Sequence, residues 1–126
     1  MKPIWIVDDD QSIRFVLEKA LARSNLRTRS FASPREVNNA LLTAADDELP
    51  RVMISDIRMP GGSGLDLLAK VKERFPGLPV IVMTAYSDLD SAVSAFQGGA
   101  FEYLPKPFDV PKAVELVQRA VAESER

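Results

Sequence analysis

The residues of this chain whose types could do chemistry together are Asp8-Asp9-Asp10, Asp56, Thr84 and Lys106. Each lies at the end of a short apolar run. Carboxylates, a hydroxyl and an ammonium brought to one place can bind a hard cation and move a phosphoryl group. Adjacent carboxylates repel one another and raise each other's pKa unless a cation neutralises them. A bound divalent ion is therefore the economical partner for the acidic triplet. Asp56 is a candidate ligand and nucleophile, because a carboxylate can take a phosphoryl group as a mixed anhydride. Phosphoryl transfer asks a protein mainly for positioning and for charge stabilisation on the equatorial oxygens. Magnesium, Lys106 and the Thr84 hydroxyl could supply that stabilisation.

Each of these residues also has a plainer reading. The triplet can be a solvated turn in which one aspartate caps a helix starting near Gln11 or Ser12. Asp56 can be a turn residue ahead of Pro60, Thr84 can merely end a strand, and a lone lysine is usually exposed. Tyr103 reads first as a half-buried packing residue. Pro105 and Pro107 on either side of Lys106 stiffen the backbone and aim its side chain, which favours a defined role. Placement decides between the two readings.

The elements that place these residues alternate along the chain. Ile4 to Val7 is a continuous apolar run, the pattern of a strand buried on both faces. Ile13, Val16, Leu17, Ala20 and Leu21 then recur at helical spacing. Leu26 to Phe31 reads as a strand near an edge, and Ser33-Pro34-Arg35-Glu36 as an N-cap, a first-turn proline and a capping-box glutamate. Val37, Ala40, Leu41 and Ala44 form the stripe of the second helix. A polar loop from Ala45 to Arg51, suited to insertions, leads to the strand Val52 to Ile54, with Asp56 just beyond. The glycine-rich loop Pro60 to Gly64 opens a helix with Leu65, Leu68 and Val71 inward, stopped at Pro76-Gly77. Val80 to Met83 is the most apolar strand. Ser87-Asp88-Leu89-Asp90 starts a helix that closes at Gly98-Gly99, and Phe101 to Leu104 is the fifth strand. Asp109 caps a last helix carrying Val110, Ala113, Val114, Val117 and Val121.

Five strand–helix units imply an α/β fold, a parallel sheet covered by helices on both faces and joined by right-handed crossovers. Ligands of such sheets bind beyond the carboxyl ends of the strands, where all the residues named first would lie. At 126 residues the chain is one domain's worth, and 46% hydrophobic and 27% charged residues are ordinary for a globular domain. It has no cysteine and no histidine, which excludes thiol and imidazole catalysis, disulfides and ordinary zinc sites. A metal would need oxygen ligands, hence magnesium, manganese or calcium. A net charge of -2 gives no basic field for nucleic acid. No apolar stretch approaches the roughly 20 residues of a membrane helix, and the start does not read as a signal peptide. The expected location is cytoplasmic.

The segments Ile6-Val7-Asp8-Asp9-Asp10, Ser55-Asp56-Ile57-Arg58-Met59-Pro60-Gly61, Met83-Thr84-Ala85 and Tyr103-Leu104-Pro105-Lys106-Pro107-Phe108 resemble a response-regulator receiver domain in order and spacing. The likeness covers essentially the whole chain, so residues 1–126 are expected to be a single receiver domain. It implies a flavodoxin-like fold: a five-stranded parallel sheet of order 2-1-3-4-5 flanked by five helices. By the same resemblance Asp56 is the phosphoacceptor, and Asp8, Asp9, Asp56 and the backbone carbonyl of Arg58 hold magnesium, Asp8 mostly through water. Lys106 pairs with the phosphoryl oxygens and Thr84 hydrogen-bonds to one of them. Tyr103, with Ser87 and Asp88, belongs to the switch, and the Lys106–Pro107 bond is cis. Within the family the chain is similar to the enhancer-binding regulators of NtrC (nitrogen regulatory protein C) type. Gly62-Ser63 replaces a bulkier pair often seen there, while Asp10 and Tyr86 receive no fixed role.

The function this implies is a phosphorylation switch. A sensor histidine kinase donates the phosphoryl group to Asp56, and the domain catalyses only its own phosphorylation and dephosphorylation. The added charge biases a two-state equilibrium in which the segment from Ser87 to Gly99 moves and Leu89, Val93 and Phe96 offer apolar surface. The partners implied are the kinase, an ATPase domain acting on sigma-54 polymerase with a DNA-binding domain beyond it, and a possible second copy on phosphorylation. Nucleic acid and membrane are not expected partners of this domain. Two rivals remain: an aspartyl phosphatase resembling the haloacid dehalogenase group, with Asp8 as nucleophile and Asp10 as acid, and a phosphorylation-independent dimerisation module.

Overall fold

A strand that is apolar at every position has to be covered on both faces, and that requirement organises this molecule. The computed structural model describes residues 2–59, 62–85 and 87–125. Its main strands are β1 (Ile4–Val7), β2 (Thr28–Phe31), β3 (Val52–Asp56), β4 (Val80–Ala85) and β5 (Glu102–Lys106). They form one parallel sheet of order β2-β1-β3-β4-β5, as the sequence implies. Its helices are α1 (Gln11–Ala22), α2 (Pro34–Thr43), α3 (Gly64–Arg74), α4 (Leu89–Gln97) and α5 (Val110–Ser124). No described helix is long and apolar enough to cross a membrane.

The period-2 alternation of strand side chains sorts the interior into two cores. Trp5, Val7, Met53, Val80 and Val82 point to one face, where Val37, Ala40 and Leu41 of α2, Leu67, Leu68 and Val71 of α3 and Ala95 of α4 cover them. Ile4, Ile6, Val52, Ile54, Ile81 and Met83 point to the other, beneath Leu17 and Leu21 of α1 and Ala113, Leu116, Val117 and Ala120 of α5. The register pairs Val7 with Ser55, Asp56 with Met83, and Ala85 with Lys106. All the carboxyl ends of these strands therefore share one edge of the sheet.

Local signals set the helix starts. Asp10 caps α1 by accepting the Ser12 amide, Ser33 caps α2 by accepting the Glu36 amide, and Asp88 caps α4 by accepting the Ser91 amide. The residue after the turn of α4 is Gly99, at φ 100°, a conformation costly for any residue with a Cβ.

Several expectations shift in detail. Val16 and Val110 are exposed rather than inward, and Leu67 is fully covered while Leu65 is only partly so. Leu116 and Ala120, not Val114 and Val121, complete the buried stripe of α5. Asp109 stands at the N-cap of that helix without a side-chain cap bond. Ala44 lies just past the end of α2. β3 reaches Asp56 and β5 runs on through Pro105 to Lys106, an edge position where proline forfeits no ladder bond. The polar loop before β3 holds a short 3-10 turn, Asp46–Glu48, whose Glu48 carbonyl accepts the Trp5 indole N–H at 3.1 Å. That tether restricts the tolerance to insertion expected there. Pro60 and Gly61 of the glycine-rich loop, and Tyr86, lie outside the described residues.

Gly64 is where the loop after β3 needs a missing side chain. Its N–H donates to the Ile57 carbonyl at 2.6 Å, and a Cβ would sit 2.2 Å from the Asp56 carbonyl oxygen and 2.6 Å from the Ile57 Cα. Backbone cannot yield as a flexible side chain can. Gly64→Ala is expected to cost about 1–3 kcal/mol through overpacking, read as a lower urea midpoint at unchanged m. Gly77→Ala is the control, since nothing lies within 4 Å of its Cβ position; equal midpoints for the two variants would refute the packing argument.

Candidate functional site

The carboxyl edge of the sheet brings Asp8, Asp56 and Lys106 into contact. Asp8 directly follows β1 and is fully buried, Asp56 ends β3 and is 8% exposed, and Lys106 ends β5. The Lys106 ammonium donates to Asp8 Oδ2 at 2.6 Å and lies 3.3 Å from Asp56 Oδ2. Asp8 Oδ1 accepts the Asp10 amide at 2.9 Å. The exposed Asp9 completes the group: carboxylate oxygens of Asp8, Asp9 and Asp56 lie within 4.8 Å of one another. These hard oxygen donors, converging on one point, fit magnesium or another hard divalent cation.

Two opposing effects act on both Asp56 and Lys106. Burial pushes the Asp56 carboxyl above its ordinary value, Lys106 pulls it back, and the nearby Asp8 adds to the upward push. Burial draws the Lys106 ammonium down, yet its bonds and attraction to Asp8 and Asp56 outweigh that and hold it above the usual lysine value. One ammonium thus answers two carboxylates, with Asp9 close by. The residual negative charge is what a divalent cation would neutralise.

A cleft of about 450 Å³ opens over this group, lined by Ile13, Asp56, Arg58, Thr84, Asp88 and Lys106 among others. Thr84 is buried one residue before the end of β4 and borders the cleft. Arg58 follows Asp56 by two residues, and its guanidinium reaches across to α4, Nε donating to Asp88 Oδ2 at 2.9 Å. Asp88 is held below the usual carboxylate range by hydrogen bonding from Ser91 and by Arg58. Ser87 is exposed in the turn before α4. Tyr103 stands apart from the acids. It is half-buried on β5, edge-on to Phe96 of α4 with ring centroids 5.7 Å apart. Asp10 is occupied as the cap of α1 and is exposed. The Lys106–Pro107 bond is cis.

Two side chains escaped the sequence reading. Arg14 Nη1 donates to the Asp8 carbonyl at 2.5 Å, and the Arg58 side chain makes the bridge to Asp88. Arg14 stands one helical turn after the cap residue Asp10, a spacing that returns a long side chain over the loop. For the Arg58 bridge the sequence carries no signal, because its partner is 30 residues away.

A buried acidic pocket with a lysine, at the carboxyl edge of a sheet of this order, defines a class of protein. The family model for the response regulator receiver domain matches residues 4–118, and the chain belongs to that family. It is 57% identical over 119 residues to the DNA-binding transcriptional regulator NtrC of Salmonella typhimurium, covering 94% of this chain and 24% of the relative. The chain thus spans about a quarter of the length of that relative. The solution structure of the apo NtrC receiver domain is similar with a TM-score of 0.84 at 55% identity, over 98% of this chain and 97% of that one. The BeF3-activated NtrC receiver domain gives 0.80 at 54% identity, over all of both chains.

Charge balance in the pocket makes two outcomes checkable in metal-free protein. Asparagine at position 56 keeps the shape of the protonated acid. The folded state holds the Asp56 proton more tightly than the unfolded chain, so stability falls as pH rises from the ordinary carboxylate value through the raised one. Asp56→Asn is therefore expected to be more stable than the parent at neutral pH, with the gain vanishing below the carboxylate range. Urea midpoints with EDTA across pH measure this; a gain that persists in acid would contradict it. Lys106→Met strands the fully buried Asp8 charge and is expected to cost about 3 kcal/mol, partly recovered on adding magnesium. A variant as stable as the parent without metal would show that the ion pair is not what neutralises Asp8.

Proposed function

We propose that this domain is a two-component receiver that takes a phosphoryl group onto Asp56 from a sensor histidine kinase. The observation carrying the proposal is the position of Asp56: at the end of the central strand, in contact with Lys106, among converging carboxylates and open to a cleft. A carboxylate oxygen of Asp56 attacks the phosphorus of the phosphohistidine. The P–N bond breaks as the P–O bond forms, and the imidazole nitrogen keeps the electron pair and takes up a proton. Lys106 meets the transferred charge on the phosphoryl oxygens, and the Thr84 hydroxyl donates to one of them. Asp8, Asp9, Asp56 and the carbonyl of Arg58 would hold magnesium, which when bound neutralises charge on the oxygens in transit. The same groups serve hydrolysis of the acyl phosphate, so the domain's catalysis is confined to its own phosphorylation and dephosphorylation.

The readout is conformational. Drawing Thr84 and Lys106 toward a phosphoryl group alters the β4–α4 turn at Ser87 and Asp88 and the surroundings of Tyr103. On α4, Leu89, Val93 and Phe96 are 67%, 48% and 43% exposed, an apolar surface for a neighbouring domain. By likeness to the NtrC proteins, residues 1–126 are a single receiver domain of a longer cytoplasmic activator. Its other parts would be an ATPase acting on sigma-54 polymerase and a DNA-binding domain, in nitrogen regulation, with pairing of two copies on phosphorylation. The receiver itself would contact neither nucleic acid nor membrane. The phosphatase reading fares worse: its nucleophile, Asp8, is fully buried against Lys106, and its acid, Asp10, is committed to capping α1.

Acetyl phosphate with magnesium, followed by borohydride trapping and mass spectrometry, tests the proposal. The expected adduct is on Asp56 alone, absent in Asp56→Asn and without EDTA-resistant residue. An adduct on Asp8 with turnover of phosphate esters would establish the phosphatase instead. No adduct, with Asp56→Asn equal to the parent in dimerisation, would establish the phosphorylation-independent module.

A further inference from the structure

Arg14 leaves the first turn of α1 and returns its guanidinium to the loop it came from, Nη1 donating to the Asp8 carbonyl at 2.5 Å. The Asp8 amide, on the other side of the same residue, donates to the Phe31 carbonyl of β2 at 3.0 Å. Both peptide groups flanking the Asp8 Cα are thus fixed, one to the sheet and one to α1. The direction in which the carboxylate leaves the main chain is fixed with them. The rest of the loop hangs on that carboxylate: Oδ1 takes the Asp10 amide and Oδ2 takes Lys106. Asp9 sits between these two fixed neighbours and is exposed.

We propose that Arg14 is a positioning residue for the divalent cation, setting the course of the Asp8–Asp10 main chain so that the Asp8 and Asp9 carboxylates converge with Asp56. The proposal rests on the magnesium reading given above. Its test uses a conflict of sign. A guanidinium close to a cation site repels the cation, so if Arg14 acted only through its field, removing its charge would tighten binding. If it acts through geometry, removal weakens binding although the local charge has become more favourable. Residues that orient metal ligands from behind typically change affinity by about tenfold or more when lost.

Arg14→Met keeps the apolar stem and removes both donor and charge; Arg14→Lys keeps charge and reach. Magnesium chloride titrated into each by calorimetry is expected to show about tenfold weaker binding for Arg14→Met, most of it recovered in Arg14→Lys. In metal-free protein, hydrogen exchange of the Asp10 amide is expected to accelerate in Arg14→Met and not in Arg14→Lys. Both changes are required. Unchanged or tighter magnesium binding in Arg14→Met, or an Asp10 amide as protected as in the parent, overturns the positioning role. Asp9→Asn separates the two readings. If the parent binds no magnesium, or Asp9→Asn binds it equally well, the metal reading fails and this proposal falls with it. If Asp9→Asn loses binding while Arg14→Met does not, the positioning role alone is wrong.

Discussion

The carboxylate of Asp8 is fully buried, and a buried charge must be paired or it is expelled. Its partner, the Lys106 ammonium, comes from a strand 98 residues away. That one contact demands that the carboxyl ends of β1 and β5 share an edge, with β3 and β4 between them in register. It also fixes the electrical state of the pocket. Lys106 neutralises one unit of charge, while Asp8, Asp56 and the nearby Asp9 bring up to three. The surplus is held only because the pocket opens to a cleft where solvent or a cation can reach it. A deeper site would protonate; a shallower one would leave Asp56 an ordinary surface acid.

The sheet solves packing and chemistry with the same alternation. Along β1, β3 and β4, successive side chains are consumed by the two cores until the strand ends. Close to that point a polar side chain can leave the sheet without displacing an apolar neighbour. Asp8 lies just past β1, Asp56 and Lys106 close β3 and β5, and Thr84 stands one residue before the end of β4. Gly64 lies directly under the Asp56 backbone, so the loop that carries Arg58 and Met59 folds back tightly against the strand that carries Asp56. Core and site are therefore not separable: a slip of one residue in β1 or β3 would draw a carboxylate in among aliphatic side chains and turn that strand's core side chains to the opposite face.

The sequence made legible what depends on period and on chain order. Continuous apolar runs gave β1, β3 and β4, and Ser33-Pro34 and Asp88 announced their helix starts through short-range bonds. Grouping Asp8, Asp9, Asp56 and Lys106 needed only the rule that parallel strands share their carboxyl edge. What stayed hidden depends on which side of a helix meets the sheet within one residue's rotation. Val16 and Val110 fit a helical stripe as well as Leu116 and Ala120 do, and only packing chooses between them. The Arg58–Asp88 bridge was hidden for another reason, since two exposed charges distant in sequence reveal nothing of their meeting. The extension of β5 through Pro105 was masked by the general exclusion of proline from ladders, which an edge strand escapes.

The two ends of α4 are held by different forces. At its start, Asp88 binds Arg58, which stands two residues from Asp56, so this end is tied by exposed polar bonds to the loop beside the pocket. At its far end, backbone bonds hold it: the Ala100 amide donates to the Ala95 carbonyl at 2.9 Å, and the Phe101 amide to the Val80 carbonyl of β4 at 2.8 Å. Between the ends, among the described residues of α4, only Ala92 and Ala95 are fully covered. Two alanines bury far less apolar area than the leucines and valines of α3 or α5, so α4 gains the least from its seat on the sheet. A helix with so small an apolar footprint draws its order from its end contacts, and elements of that kind are the ones that open at low cost. A change of charge at Asp56 meets α4 at its polar end first.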